Sequence, residues 1–174
     1  MTGQRRSIGA IVDALSHGAN RFAEGLMAFF LAAMTLLVGF QIAGRFVFVY
    51  SIFWSDELAR FLLIWISFLG MSAGVRRGAH PAIDSLVRAL PPRPARAILA
   101  LALLLSLGFF TIMVTYGGSL VLHTWPQRSV SLGLRMSVPY LAVPISGLLM
   151  LLHAAALGLR GGPLSLSTGE IHVD

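Results

Sequence analysis

The chain has 174 residues, of which 56% are hydrophobic and 11% are charged. Its mean hydropathy is +0.80, and a soluble domain of this size could not bury so many apolar residues in its core. The 13 basic residues are all arginine and outnumber the 7 acidic residues, which gives a net charge of +6. In a membrane protein such a charge indicates binding to anionic lipid headgroups rather than to nucleic acid. Because cysteine is absent, disulfides, thiolate catalysis and Cys-ligated metals are excluded. We predict an all-α membrane protein with four transmembrane helices and two interfacial amphipathic helices.

The N-terminal segment carries an apolar stripe at helical spacing. Ile11, Leu15 and Phe22 fall on one side, whereas Asp13 and other polar residues occupy much of the opposite side. Such interruptions are not typical of a signal peptide, so we expect the first long apolar segment to be retained. The pattern predicts an interfacial helix over residues 8–22.

Two predicted spans follow this segment. Residues 25–44 are uncharged and long enough to cross a hydrocarbon core of about 30 Å, and we expect Gln41 within them to make an interhelical hydrogen bond. The apolar run 61–75 would cover only about 22 Å as a helix. The second span must therefore begin near Trp54, which predicts a helix over residues 54–75.

This start places charged side chains in the first turns of span two. Asp56 and Glu57 lie four and three residues before Arg60, spacings that allow local ion pairs. The cluster has two interpretations: an ordinary helix end with its own ion pairs, or a contact site for another subunit. Because the two acids outnumber Arg60, we expect a further cation, with Arg45 as the candidate within this chain and a partner protein as the alternative.

The second half of the chain contains a basic loop and two more spans. Residues 76–96 predict a second surface helix that begins near Pro81 and ends at Pro91, with His80 near its N-terminus. Residues 97–122 and 138–159 predict spans three and four, joined by a loop over 123–137. Residues 161–174 show no packing pattern and predict a disordered tail. The whole chain, 1–174, is predicted to be one integral-membrane domain.

The arginine distribution predicts the orientation. Nine arginines fall in the N-terminal segment, the middle loop and the tail, and four fall in the other two connections. Because cytoplasmic loops are enriched in Lys and Arg, both termini and residues 76–96 are predicted to be cytoplasmic.

The spans contain no acid at mid-depth, where a cation-coupled carrier would be expected to place one. We therefore predict no catalytic residue, no metal site, no cofactor and no enzyme activity, and favour a structural partner. Two alternatives stay open. One is an independent small four-helix transporter; the other is a haem-binding membrane protein that uses His80, His123 or His153.

Several positions, taken together, resemble a known family. They include Arg45, Trp54 to Arg60 opening span two, Trp65 and Gly70 within it, Arg77, His80 and Asp84 after it, Pro91, and finally Met136, Tyr140 and Pro144. In order and spacing they resemble the small membrane subunit (DctQ type) of tripartite ATP-independent periplasmic (TRAP) transporters. The chain departs from the usual pattern at Asp56, Pro81 and Arg135.

The resemblance implies a non-catalytic subunit of the inner membrane. Such a subunit pairs with a large permease subunit that carries substrate and Na⁺, and works with a periplasmic substrate-binding protein in organic acid uptake. The resemblance also marks candidate structural or subunit-contact residues: Arg45, Trp54, Asp56, Glu57, Arg60, Trp65, Arg77, His80 and Asp84.

Overall fold

The computed structural model describes residues 2–47, 53–77 and 90–159, and these residues are helical almost throughout. The helices are α1 (Thr2–Val47), α2 (Phe53–Arg76), α3 (Pro92–Thr124), α4 (Ser137–Tyr140) and α5 (Ala142–Leu159). Within these ranges, the only β-type pairing is an isolated bridge between Arg128 and Arg135. Four segments are long and apolar enough to cross a membrane, which confirms the all-α membrane fold.

The helix bounds lie close to the sequence-based expectations for spans two to four. Helix α2 begins one residue before Trp54, and α4 with α5 covers the segment predicted at 138–159. The predicted surface helix after Arg77 and the predicted tail at 161–174 lie outside the described residues.

Helix α1 differs from the prediction, because residues 8–22 and 25–44 are parts of one continuous helix of 46 residues. At about 1.5 Å per residue this helix is about 69 Å long, more than twice the hydrocarbon thickness. Leu15 and Phe22 are exposed, as the apolar stripe requires, but Ser16 and Asn20 on the other side are buried. Residues 8–22 are therefore not a separate helix, and the polar side of this segment packs against the bundle. An interfacial location of this segment stays a prediction.

Helices α1 and α2 form an antiparallel hairpin. Phe30 and Trp65 meet edge to face, with ring centroids 6.1 Å apart, and the Met27 sulfur lies near Gly70. Residue numbers rise on one helix as they fall on the other, so the two helices lie side by side over most of their length.

Helix α5 occupies the centre of the bundle, since it packs against α1, α2 and α3. Its approach to α3 is close at two glycines. A Cβ on Gly117 would lie 2.9 Å from Val143 Cγ1, and a Cβ on Gly147 would lie 3.0 Å from Val114 Cγ2. The next contact along this crossing is an apolar cluster of Phe110, Met113 and Met150.

The break between α4 and α5 follows from a proline. Pro144 has no N–H to donate to the carbonyl of Tyr140 four residues earlier, and its ring crowds that carbonyl. Helix α4 ends at Tyr140, and α5 begins at Ala142 with Pro144 in its first turn, where a missing N–H costs little. Pro144 thus produces a short interruption of the helix on its N-terminal side.

Candidate functional site

Polar side chains gather at the two ends of the α1–α2 hairpin, about 30 Å apart along α2. The first group, here called the Glu57 cluster, consists of Gln41, Asp56, Glu57 and the backbone of Ser131 and Leu132. Gln41 Nε2 donates to Asp56 Oδ1 at 2.7 Å. This bond joins α1 to α2 and confirms the interhelical role predicted for Gln41.

Glu57 holds the loop between α3 and α4. Its Oε2 accepts hydrogen bonds from the backbone N–H of Ser131 and of Leu132, both at 3.0 Å. A charged acceptor with two donors is a strong arrangement. Glu57 therefore fixes the loop against the start of α2.

The loop is also ordered by its own contacts. Ser129 N donates to Leu134 O at 2.7 Å, and Gly133 takes a positive φ of 65° that closes the turn. The Arg135 guanidinium lies 4.4 Å from the centroid of the Trp125 ring, a cation–π contact. The result is a compact hairpin-like loop with Val130 fully exposed at its tip.

The ion pairs expected for this cluster are not observed. Arg76 pairs with Asp13 and Arg77 pairs with Glu24, both at the other end of the hairpin. Arg45 and Arg60 are both exposed and pair with neither Asp56 nor Glu57. Within the described residues, Gln41 and two backbone amides bind the acids in place of Arg45 or Arg60. A cation supplied by a partner protein stays a prediction.

The second group, here called the Arg76 cluster, consists of Asp13, Ser16, His17, Arg76 and His153. Arg76 Nη1 donates to Ser16 Oγ, and Ser16 Oγ lies 2.8 Å from His153 Nδ1. Since a guanidinium only donates, the Ser16 hydroxyl oxygen accepts from Arg76, and the hydroxyl links Arg76 to His153.

Arg76 makes two further contacts with α1. Its Nη2 lies 3.2 Å from His17 Nδ1 and 3.8 Å from Asp13 Oδ1. Ser16 and His153 are fully buried, so the cluster joins α1, α2 and α5 in the interior at this end of the bundle. Buried polar groups of this kind are costly when a partner is removed.

The remaining predicted residues have simpler surroundings. Arg77 Nη2 donates to Glu24 Oε1 at 2.7 Å, next to the Arg76 cluster. Trp65 packs on Phe30, and Trp54 is 44% exposed at the start of α2. His80 and Asp84 lie outside the described residues.

Sequence reasoning missed the Arg76 cluster and the role of Glu57. Ser16 and His153 are separated by 137 positions, so their contact depends on how α1 and α5 are rotated and paired. The available signal was that His153 is the single histidine of a last span that contains no Asp, Glu, Lys or Arg. In the described ranges, no group of three or more His, Asp or Glu side chains is arranged to hold a metal ion.

The described helices also enclose an apolar groove of about 510 Å³. It lies between α2 and α3 with Met150 of α5 at its base, and its lining includes Gly74 and Phe109. Its lining contains no charged side chain. It is a gap between helices rather than a site built for a polar solute.

Four membrane-length helices and polar clusters confined to the helix ends define a multi-pass membrane protein. The sequence model of the family described as tripartite ATP-independent periplasmic transporters, DctQ component, matches residues 34–161. This match covers more than half of the chain. The chain therefore belongs to this family of TRAP transporter small permease components.

Individual relatives agree with this family. The chain is 35% identical over 102 residues to the C4-dicarboxylate TRAP transporter small permease protein DctQ of Rhodobacter capsulatus, covering 58% of this chain and 45% of that protein. It is 30% identical over 137 residues to the ectoine TRAP transporter small permease protein TeaB of Halomonas elongata, covering 75% and 70%. The match thus spans less than half of the Rhodobacter protein.

A third relative is a longer polypeptide. The isethionate TRAP transporter permease protein DctMQ of Oleidesulfovibrio alaskensis is 27% identical over 124 residues. The match covers 67% of this chain but only 20% of that protein.

Proposed function

We propose that this chain is the small membrane subunit of a TRAP transporter, which pairs with and stabilises the large permease subunit during Na⁺-coupled uptake of an organic acid. A periplasmic substrate-binding protein completes the system, and the chain lies in the inner membrane. The observation that carries the pairing is the DctMQ relative, where the region similar to this chain is one fifth of a longer permease. If a segment is fused to a permease in one protein, its counterpart is expected to contact a permease when the two are separate polypeptides.

The distribution of polar groups favours a structural role for this chain over a role in carrying the solute. The acids of the described bundle interact with groups of the chain itself: Asp13 with Arg76, Glu24 with Arg77, Asp56 with Gln41, and Glu57 with loop amides. The apolar stretches between the clusters contain no acid. An ion-coupled path would place such a group at mid-depth, so we assign that path to the large subunit.

The substrate is assigned to the partners as well. Relatives of comparable similarity carry names that specify different substrates, C4-dicarboxylates in one case and ectoine in another. A subunit that is similar across such systems is not expected to choose the substrate. We expect the binding protein and the large subunit to do so.

Reconstitution tests the proposal. Proteoliposomes that contain this chain alone should take up no organic acid. Those with both membrane subunits should take it up when the binding protein and an inward Na⁺ gradient are supplied, and should lose uptake when Na⁺ is replaced by K⁺. Uptake by the small chain alone would instead favour the independent four-helix transporter.

A further inference from the structure

One side of α1 carries a seven-residue repeat that no other helix among the described residues covers. Large and small side chains alternate along it at spacings of three and four residues. The large positions are Phe22, Phe29 and Leu36, and the small positions are Gly25, Ala32 and Gly39. We call these six residues the heptad face.

The heptad face points away from the bundle. Phe22, Phe29 and Leu36 are 74%, 65% and 75% exposed. A Cβ placed on Gly25 or Gly39 would meet no atom within 4 Å. In the most apolar stretch of α1 no residue is buried, whereas 33% of the corresponding stretch of the last span is buried.

A surface that meets only lipid does not need this pattern. Lipid-facing positions call for apolar bulk, and glycine adds none while it lowers helix propensity. Small residues in membrane helices instead let another helix approach closely, and a repeat of seven keeps one stripe facing a partner at a left-handed crossing. The alternation of large and small groups provides knobs and the spaces beside them.

The length of the repeat indicates what the partner is. From Phe22 to Gly39 the heptad face covers about 26 Å of helix, close to the full hydrocarbon thickness. An occupant that matches it over this length must itself be a membrane-spanning helix. The DctMQ relative indicates its source, because there the matching region is joined to a much longer permease chain.

We infer that the heptad face of α1 is the docking surface for a transmembrane helix of the large permease subunit. This inference rests on the proposed function and adds to it the face that makes the contact. The opposite side of α1 is already used, since Ser16, Gln41 and Phe30 contact α5 and α2.

Photo-crosslinking tests the occupant in the complete complex. A photoreactive phenylalanine analogue at Phe29 should give an adduct with the co-expressed large subunit. The same analogue at Leu104 is the control, because Leu104 on α3 is 68% exposed, a similar value, and lies off the heptad face; it should give none. An adduct of Phe29 with a second copy of this chain, or equal adducts from both sites, would overturn the inference.

A substitution pair tests the small positions. Gly25→Leu fills the space that the partner needs and should lower co-purification of the large subunit by about tenfold, as overpacking a helix contact does. Gly108→Leu on α3 is the matched control, since a Cβ there also meets no atom within 4 Å, and should leave co-purification unchanged. Both variants should elute as single species on their own, which separates lost docking from lost folding.

Different results would contradict the proposed function and the assignment of the heptad face as the docking surface. If the wild-type chain does not co-purify with the large subunit, the proposed function is wrong. If the wild type co-purifies and Gly25→Leu does so equally well, the pairing stands and the heptad face is not its site.

Discussion

At the scale of single residues, Glu57 holds the α3–α4 loop. Its Oε2 is the acceptor for the amides of Ser131 and Leu132, so Glu57→Ala removes both bonds. Hydrogen bonds to a charged group contribute about 1.5 to 3 kcal/mol when buried, and this site is partly open to water, so we expect a loss of about 1 kcal/mol in local stability. Faster hydrogen exchange of these two amides is the measurement.

Two variants serve as controls for Glu57. Glu57→Gln keeps an oxygen acceptor and should give intermediate exchange rates. Arg60→Ala, on the exposed side of the same helix, should leave the loop amides as they are. Equal protection in Glu57→Ala and wild type would show that water replaces the carboxylate without loss.

The structure also changes what is expected of Arg45. The sequence suggested a direct contact with Glu57, which would make the effects of substituting the two residues non-additive. Because Glu57 binds loop amides instead, the effects of Arg45→Ala and Glu57→Ala on stability should add.

At the scale of elements, the crossing of α3 and α5 depends on adjacent glycines with opposite surroundings. A Cβ on Gly117 would lie 2.9 Å from Val143 Cγ1 and 3.2 Å from the backbone N of Pro144, whereas one on Gly118 meets nothing within 4 Å. Both alanine variants gain about 1 kcal/mol of helix propensity, so the comparison isolates the clash. We expect Gly117→Ala to be less stable than Gly118→Ala by about 1 to 3 kcal/mol, measured by unfolding in detergent.

The prediction is tested by whether Gly117→Ala is less stable than Gly118→Ala. If Gly117→Ala unfolded at the same denaturant concentration as Gly118→Ala, α5 would be able to shift away from α3 at little cost. Close packing at Gly117 would then not determine the position of α5.

The elements show what the sequence can and cannot predict. Hydropathy located four spans, because a run of about twenty apolar residues in so apolar a chain has few stable structures other than a membrane-spanning helix. Gln41 was correctly predicted to bond between helices, because a lone polar group in a span needs a partner. The contacts of Ser16 with His153 and of Glu57 with Ser131 could not be predicted, since they depend on helix order and rotation over 137 and 74 positions.

The N-terminal segment shows the same limit. Its amphipathic pattern was real, and Leu15 and Phe22 are exposed as expected. The pattern did not reveal that Ser16, on the polar side, would be buried against Arg76 and His153. Amphipathicity identifies the two sides of a helix, but it does not tell whether the polar side meets water or another polar surface.

At the scale of the whole molecule, the remaining question is which end faces the cytoplasm. The Arg76 cluster lies at one end of the hairpin, and the Glu57 cluster with the α3–α4 loop lies at the other. Nine of 13 arginines belong to the N-terminal segment, residues 76–96 and the tail, so the positive-inside rule favours a cytoplasmic Arg76 cluster and a periplasmic loop. The cysteine-free sequence allows this orientation to be tested with single cysteines.

We expect Val130→Cys to react with a membrane-impermeant maleimide in intact cells, because Val130 is fully exposed at the tip of the loop. Ser167→Cys in the C-terminal segment should react only after the membrane is opened. Both variants should be labelled after opening, which controls for accessibility. The reverse pattern, labelling at 167 and protection at 130 in intact cells, would place the Arg76 cluster outside and contradict this orientation.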